Sequence, residues 1–300
     1  MATPDVSRVT VDHFTYRRIT VDGIGINTAI AGSGPPVLLL HGYPQTHLIW
    51  RDLAPSLAGQ YTVVLADLRG YGDSDKPAPS TGDDNYSKRA MAADQVGVMR
   101  QLGFTEFDLV GHDRGARVAH RLALDYPDMV TRLVLLDIVP TRHVLNHVTR
   151  NLATAYFHWF FLASGGDIPE RLLGRDPGFW IRSVVERLLA PPAVIEPRVI
   201  ADYVRCFSDP AAIAGSCADY RAAGSVDLIH DDHSAAAGQK ITCPTLVLWG
   251  EKSFVGKQYE PLQVWQDYAT NVVGRSLPAG HFLPEELPEQ VLAEITAFLS

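Results

Sequence analysis

The stretch Phe107-Asp108-Leu109-Val110-Gly111-His112-Asp113-Arg114-Gly115 decides how the rest of the chain is read. Its apolar run is continuous rather than alternating, which predicts a strand buried on both faces, as in a parallel sheet. The residues that follow, 114–126, have a helical pattern stopped by Pro127. Strand, Gly-x-Asp-x-Gly turn and helix together make a sharp elbow. Its glycines let neighbouring backbone pass close, and its central side chain is lifted to the C-terminal edge of the sheet. Ligands bind at that edge in open α/β sheets.

Outward from the elbow, the same kind of apolar run recurs at Pro36-Val37-Leu38-Leu39-Leu40, Thr62-Val63-Val64-Leu65-Ala66, Leu133-Val134-Leu135-Leu136 and Thr245-Leu246-Val247-Leu248-Trp249. Helical patterns fall between them. Ser87 caps one whose Ala92, Val96, Met99 and Leu102 share a face, with Gly103 closing it, and the last helix is expected over Pro288–Leu299. Strands alternating with helices predict an α/β fold with a mostly parallel central sheet. From about 141 to 239 the alternation lapses into helical and aromatic stretches, then returns after Ile241. The expected organisation is a core of residues 1–140 and 241–300 with a helical cap, 141–240, inserted between them.

Composition narrows the function classes. The chain has 300 residues, 46% hydrophobic and 20% charged, with a net charge of −8. That is ordinary globular material, ample for a large core. No basic stripe invites nucleic acid, and no uncharged apolar run approaches membrane-spanning length. Three widely spaced cysteines, Cys206, Cys217 and Cys243, form neither a disulfide framework nor a metal signature. The start, MATPDVSRVTVDHF, lacks the basic and apolar regions of a signal peptide. A reduced, cytoplasmic protein without metal or organic cofactor is expected.

Three further motifs support the elbow. His41-Gly42-Tyr43-Pro44 follows one strand where an oxyanion-hole loop would lie, and Gly280-His281-Phe282 precedes the final helix where a base would lie. Asp67-Leu68-Arg69-Gly70-Tyr71-Gly72-Asp73-Ser74 looks like a structural loop. In this order they indicate the α/β-hydrolase fold. A third triad member is missing from the usual place after the Thr245 strand, so Asp137, at the end of the Leu133 strand, is expected to orient His281, with Glu251 as the alternative.

The aspartate sets the chemistry. Serine needs a base to become nucleophilic, whereas a carboxylate with a reference pKa near ~3.9 is already ionised at neutral pH. The helix N-terminus favours the anion further. Asp113 is therefore expected to displace a leaving group from saturated carbon and form an ester. His281 would then activate water against that ester, while the backbone N–H groups of Tyr43 and Arg114 hold the oxyanion. Alkyl halides and epoxides suit such a route. Arg114 and Arg117, three residues apart on one helical face, suit a substrate that is itself a carboxylate. The alternative is that one pairs with Asp113 and the other with surface acids.

Gly111-His112-Asp113-Arg114-Gly115-Ala116-Arg117, His41 to His47, Tyr156-Phe157-His158-Trp159, Asp219-Tyr220-Arg221 and Gly280 to Glu286 closely resemble the fluoroacetate (haloacetate) dehalogenase family over nearly the whole chain. The resemblance implies Asp113, His281 and Asp137 as nucleophile, base and acid, and Arg114 and Arg117 as carboxylate ligands. It also implies His158, Trp159 and Tyr220 as a halide-binding trio, and a homodimer. On residue type alone, His158 and Trp159 read as cap core. With the resemblance they become donors that replace the water fluoride loses. Tyr43 stands where the family commonly has phenylalanine. The rivals using the same aspartate are an epoxide hydrolase, which needs a pair of cap tyrosines such as Tyr156 and Tyr220, and a haloalkane dehalogenase, which usually has tryptophan where Arg114 stands. A non-catalytic ligand-binding protein is the rival from another class.

Overall fold

A computed structural model describes residues 8–300. Residues 1–7, which open both the segment inspected for a signal peptide and the expected core, lie outside the described residues.

The five apolar runs form β3 (Pro36–Leu40), β4 (Thr62–Ala66), β5 (Phe107–His112), β6 (Val130–Leu136) and β7 (Thr245–Gly250). Their central residues are fully buried, because helices cover both faces. Three further strands complete one eight-stranded sheet: β1 (Thr15–Val21), β2 (Ile24–Ala31) and β8 (Val272–Leu277), in the order β1-β2-β4-β3-β5-β6-β7-β8. From β4 to β8 the neighbours run parallel, while β1 and β2 add an antiparallel edge. That edge hairpin turns on Asp22-Gly23, both at positive φ (47° and 82°), the combination a type I′ turn requires. β1 and β2 escape a search for continuous apolar runs because β1 is exposed along most of one face, so Arg17, Arg18 and Thr20 interrupt it.

The helix Lys88–Gln101 starts at Ser87, whose hydroxyl accepts the Ala90 N–H, and ends before Gly103 at φ 89°. Helix Arg114–Asp125 follows β5 and packs across β5 and β6. Between β6 and β7 the chain forms only helices, from Thr141–Asn146 to Val226–Ala236. They close over the C-terminal ends of the strands. The strand order reverses at β3, which has β4 on one side and β5 on the other, and ligands of open sheets bind at such a switch point. Among the described residues, no helix is long and apolar enough to cross a membrane.

Candidate active site

Every residue singled out at the sheet edge follows a strand: Tyr43 after β3, Asp113 after β5, Asp137 after β6 and His281 after β8. Asp113 holds φ 46° and ψ −114°, an unfavourable backbone for a side-chain-bearing residue. The elbow survives because its neighbours have no side chains in the way. A Cβ on Gly115 would lie 2.4 Å from the carbonyl oxygens of Leu40 and His41, and one on Gly42 would lie 2.5 Å from the Asp113 Cβ. The Tyr43 N–H donates to Asp113 Oδ1 at 3.0 Å, which places that backbone donor at the carboxylate. Arg114 opens the helix, so its N–H has no intrahelical partner. The loop bearing Tyr43 is anchored by His41. Leu68 N–H donates to His41 Nε2 at 3.0 Å, so the imidazole proton sits on Nδ1 and is given to the Gly42 carbonyl at 2.9 Å.

His281 Nδ1 lies 2.6 Å from Asp137 Oδ2, and its Nε2 lies 3.8 Å from Asp113 Oδ2. Glu251 is elsewhere: exposed, and accepting from the Ser276 hydroxyl at 3.0 Å. Asp137 Oδ1 accepts two more bonds, from Gly250 N–H at 2.9 Å and Ser253 O–H at 2.8 Å. Ser253 was not foreseen. It also caps the helix Phe254–Gln258, and a serine before an apolar helical start was the available signal. His112, the variable residue of the elbow, contacts the carbonyl of His281 through Nε2 at 2.8 Å. Burial pushes its pKa down to about 3, so it is neutral and donates there.

Burial also opposes charge on Asp113, but the charges of His281, Arg117 and Arg114 outweigh it and hold the carboxyl below its ordinary pKa. For His281, burial disfavours the imidazolium. The hydrogen bond and charge of Asp137, with the charge of Asp113, prevail and raise the pKa above the usual histidine value. A base must be neutral, so any step His281 activates should slow as pH falls through that raised pKa. An ester on Asp113 would remove one raising charge and leave Asp137 as the main one. Asp137→Asn should therefore move the acid limb of the ester-hydrolysis rate to lower pH, besides slowing it. A limb that stays put in a rapid-quench pH series would contradict this.

Both arginines are buried beside Asp113, and neither reaches the surface. Arg114 is gripped by Asp219 of the insertion: Nε donates to Oδ2 at 2.8 Å, and Nη2 to Oδ1 at 2.5 Å and to the Asp219 carbonyl at 2.9 Å. Lys88 and the Tyr71 hydroxyl share the same carboxylate. Asp219, which carried no assigned role, is the acid that Arg114 pairs with, and it is buried rather than on the surface. Arg117 Nη1 donates to the Val139 carbonyl at 3.1 Å and to Thr141 Oγ1 at 2.8 Å. Among the described residues, this leaves Arg114 Nη1 and Arg117 Nε buried with no hydrogen-bond partner.

The insertion brings its aromatic residues to the same arginines. His158 and Trp159 lie on helix Phe157–Leu162 and Tyr220 on Pro210–Ala223. The Tyr220 ring is 6.1 Å from each of the other two. Arg114 sits over the Tyr220 ring at 4.2 Å and Arg117 over Trp159 at 4.6 Å. Tyr43 stacks on His158 at 6.5 Å, and its hydroxyl accepts from Trp180 Nε1 of the insertion. Burial pushes the His158 pKa down to about 3, leaving a neutral ring with one N–H, and pushes the Tyr220 phenol well up. Arg221 faces away, pairing with Asp83 and Glu170. Among the described residues, no group of three or more His, Cys, Asp or Glu is placed to hold a metal ion.

Chemically, the site offers a buried carboxylate, a histidine-acid pair 3.8 Å away, two spare cationic donors and three neutral ring donors. The model of the alpha/beta hydrolase fold matches residues 35–288. The chain is 44% identical to a fluoroacetate dehalogenase from Burkholderia sp, over 96% of this chain and 94% of that one. It is 35% identical to a soluble epoxide hydrolase from Corynebacterium sp. (strain C12), over 95% and 97%. The crystal structure of ALR0039 from Nostoc sp PCC 7120 is similar with a TM-score of 0.95 at 50% identity, covering 97% of this chain and 99% of that one.

Proposed function

Given that the chain belongs to the haloacetate dehalogenase family of α/β hydrolases, and is a hydrolase acting on carbon–halide bonds, we propose that it cleaves fluoroacetate to glycolate and fluoride through an ester on Asp113. The observation that carries this reading is the pair of unpartnered donors, Arg114 Nη1 and Arg117 Nε, buried beside a carboxylate nucleophile. A buried cationic donor without a partner is costly. A carboxylate-bearing substrate supplies the partner and is held with its α-carbon toward Asp113.

In the first step an Asp113 oxygen attacks that carbon, the carbon–halogen bond breaks with its electron pair, and halide leaves. His158, Trp159 and Tyr220 donate to the departing ion. In the second step His281 takes a proton from water as the oxygen attacks the Asp113 carbonyl carbon. The N–H groups of Tyr43 and Arg114 hold the oxyanion until glycolate departs and the carboxylate is restored. Overall, one water is consumed and one proton released. Cytoplasmic location and a homodimer belong to the same proposal. Light scattering reads the second.

Fluoride release measured beside chloride and bromide release from the matching haloacetates tests the substrate. Chloride or bromide without fluoride would leave a haloacetate dehalogenase that does not defluorinate. A second reading, epoxide hydrolysis, is favoured by the Corynebacterium relative and by two buried tyrosines near Asp113, Tyr156 and Tyr220. Two spare cationic donors suit an uncharged epoxide poorly.

Fluoride is the smallest and most strongly hydrated of these halides, so it depends most on preorganised donors as it leaves. Tyr220→Phe deletes one O–H and little volume. It should lower fluoroacetate turnover roughly ten- to a hundredfold, the ~1.5–3 kcal/mol of a hydrogen bond to a charged group, and bromoacetate turnover much less. Equal losses on both substrates would remove Tyr220 from the halide site.

A further inference from the structure

Nothing in the reaction as drawn uses Glu286, yet its carboxylate is built around the base. Oε2 accepts the Gly280 N–H at 2.6 Å and Oε1 the Phe282 N–H at 2.9 Å, so the two oxygens straddle His281. Oε2 also accepts the Ala190 N–H of the insertion at 3.3 Å. The remaining backbone groups of His281 are tied as well: its N–H donates to the Leu188 carbonyl at 3.2 Å, and its carbonyl accepts from His112. Loops of this kind ordinarily leave several amides to water. Here the loop is clamped from three sides, although the side chain it carries makes, among the described residues, one hydrogen bond, to Asp137.

We infer that Glu286 is a positioning residue for ester hydrolysis: by holding the amides on both sides of His281 and the Ala190 amide of the insertion beside them, it keeps the imidazole aimed at the water that attacks Asp113. The inference rests on the assignment of Asp113 and His281 above. A carboxylate suits the task because it has two acceptor oxygens and no donor. A glutamine keeps one acceptor, but turns its NH₂ toward an amide N–H on the other side of the histidine. An imidazole hinged at one end swings, and a misplacement on the order of 1 Å costs roughly a hundredfold in a positioned reaction. Nucleophilic attack by Asp113 does not use the imidazole, so the defect should fall on the second step alone.

The experiment is rapid quench and intact-protein mass spectrometry with bromoacetate, whose good leaving group makes ester formation fast. In Glu286→Gln, ester formation should stay within about twofold of wild type, while hydrolysis slows roughly ten- to a hundredfold, so that enzyme carrying the ester accumulates during turnover. Glu286→Asp, which keeps the charge but cannot span both amides, should show the same partition and covers the case in which the glutamine variant does not fold. A structural role alone would depress both steps together, with less active enzyme and no accumulated ester. That result overturns the inference. His281→Asn is run alongside. An adduct there but none in either Glu286 variant sinks this inference only, whereas no adduct in any of the three sinks the Asp113–His281 assignment and this inference with it.

Discussion

His281→Asn, treated with bromoacetate or fluoroacetate, should yield a stable protein heavier by one carboxymethyl group on Asp113. The asparagine amide is smaller than the imidazole but polar and can still face Asp137, and it cannot take a proton from water. Ester formation uses only the carboxylate, which is held ionised by His281, Arg117 and Arg114. Removing the first of these leaves two guanidiniums, enough to keep Asp113 charged at neutral pH. Hydrolysis, in contrast, loses its base, and general-base catalysis is worth about 10²–10⁴-fold. Turnover should fall by that factor, with one halide released per enzyme in a burst. Peptide mapping that puts the adduct on another residue, or finds none, would refute the assigned roles. Asp113→Ala should form no adduct and release no halide.

How far the sequence alone leads depends on how local each signal is. The elbow, the strand runs and the aspartate after β6 are legible because each is a short stretch with its own periodicity or turn chemistry. β1 and β2 are not found by the same search, since an edge hairpin mixes exposed Arg17, Arg18 and Thr20 with buried positions. The β8 segment is masked differently: Gly274 and Arg275 break its apolar run, and only the structure shows Gly274 packed against the Val247 backbone. Supporting groups are the hardest to read. Asp219 meets Arg114 across 105 residues, Ser253 meets Asp137 across 116, and Trp180 meets Tyr43 across 137. No spacing rule links such pairs; Asp219 and Trp180 arrive because the insertion folds back over the sheet edge, and Ser253 because β7 pairs with β6. Sequence reasoning therefore supplies the residues that could react and the acid that orients the base, while the structure supplies the groups that hold these in turn, Asp219, Ser253 and Trp180.

The arginines show what that aiming implies for substrate choice. Arg114→Lys keeps a positive charge for Asp219, so the variant should remain folded; outright loss of the guanidinium would leave the buried acid with only Lys88 and Tyr71, and breaking a buried pair costs about 3–5 kcal/mol. An ammonium is a point donor without the guanidinium fork. Arg114 uses Nε and Nη2 on Asp219 and has Nη1 to spare, and a lysine cannot serve both acids from one nitrogen at those positions. Arg117→Ala removes the spare Nε and the contacts to Val139 and Thr141. If these nitrogens hold the substrate carboxylate, each variant should lose roughly ten- to a hundredfold in kcat/KM for haloacetates, the ~1.5–3 kcal/mol of a charged hydrogen bond. Both together should lose more than either. The loss should appear in kcat as well as KM, because an untethered carboxylate lets the α-carbon drift from the attack line. An uncharged substrate is the control. Styrene oxide or a short alkyl bromide has no carboxylate to lose, so any activity on it should be spared. Full haloacetate activity in folded Arg117→Ala, together with a loss on the epoxide, would overturn the anionic-substrate reading and move the chain to the epoxide side of its family.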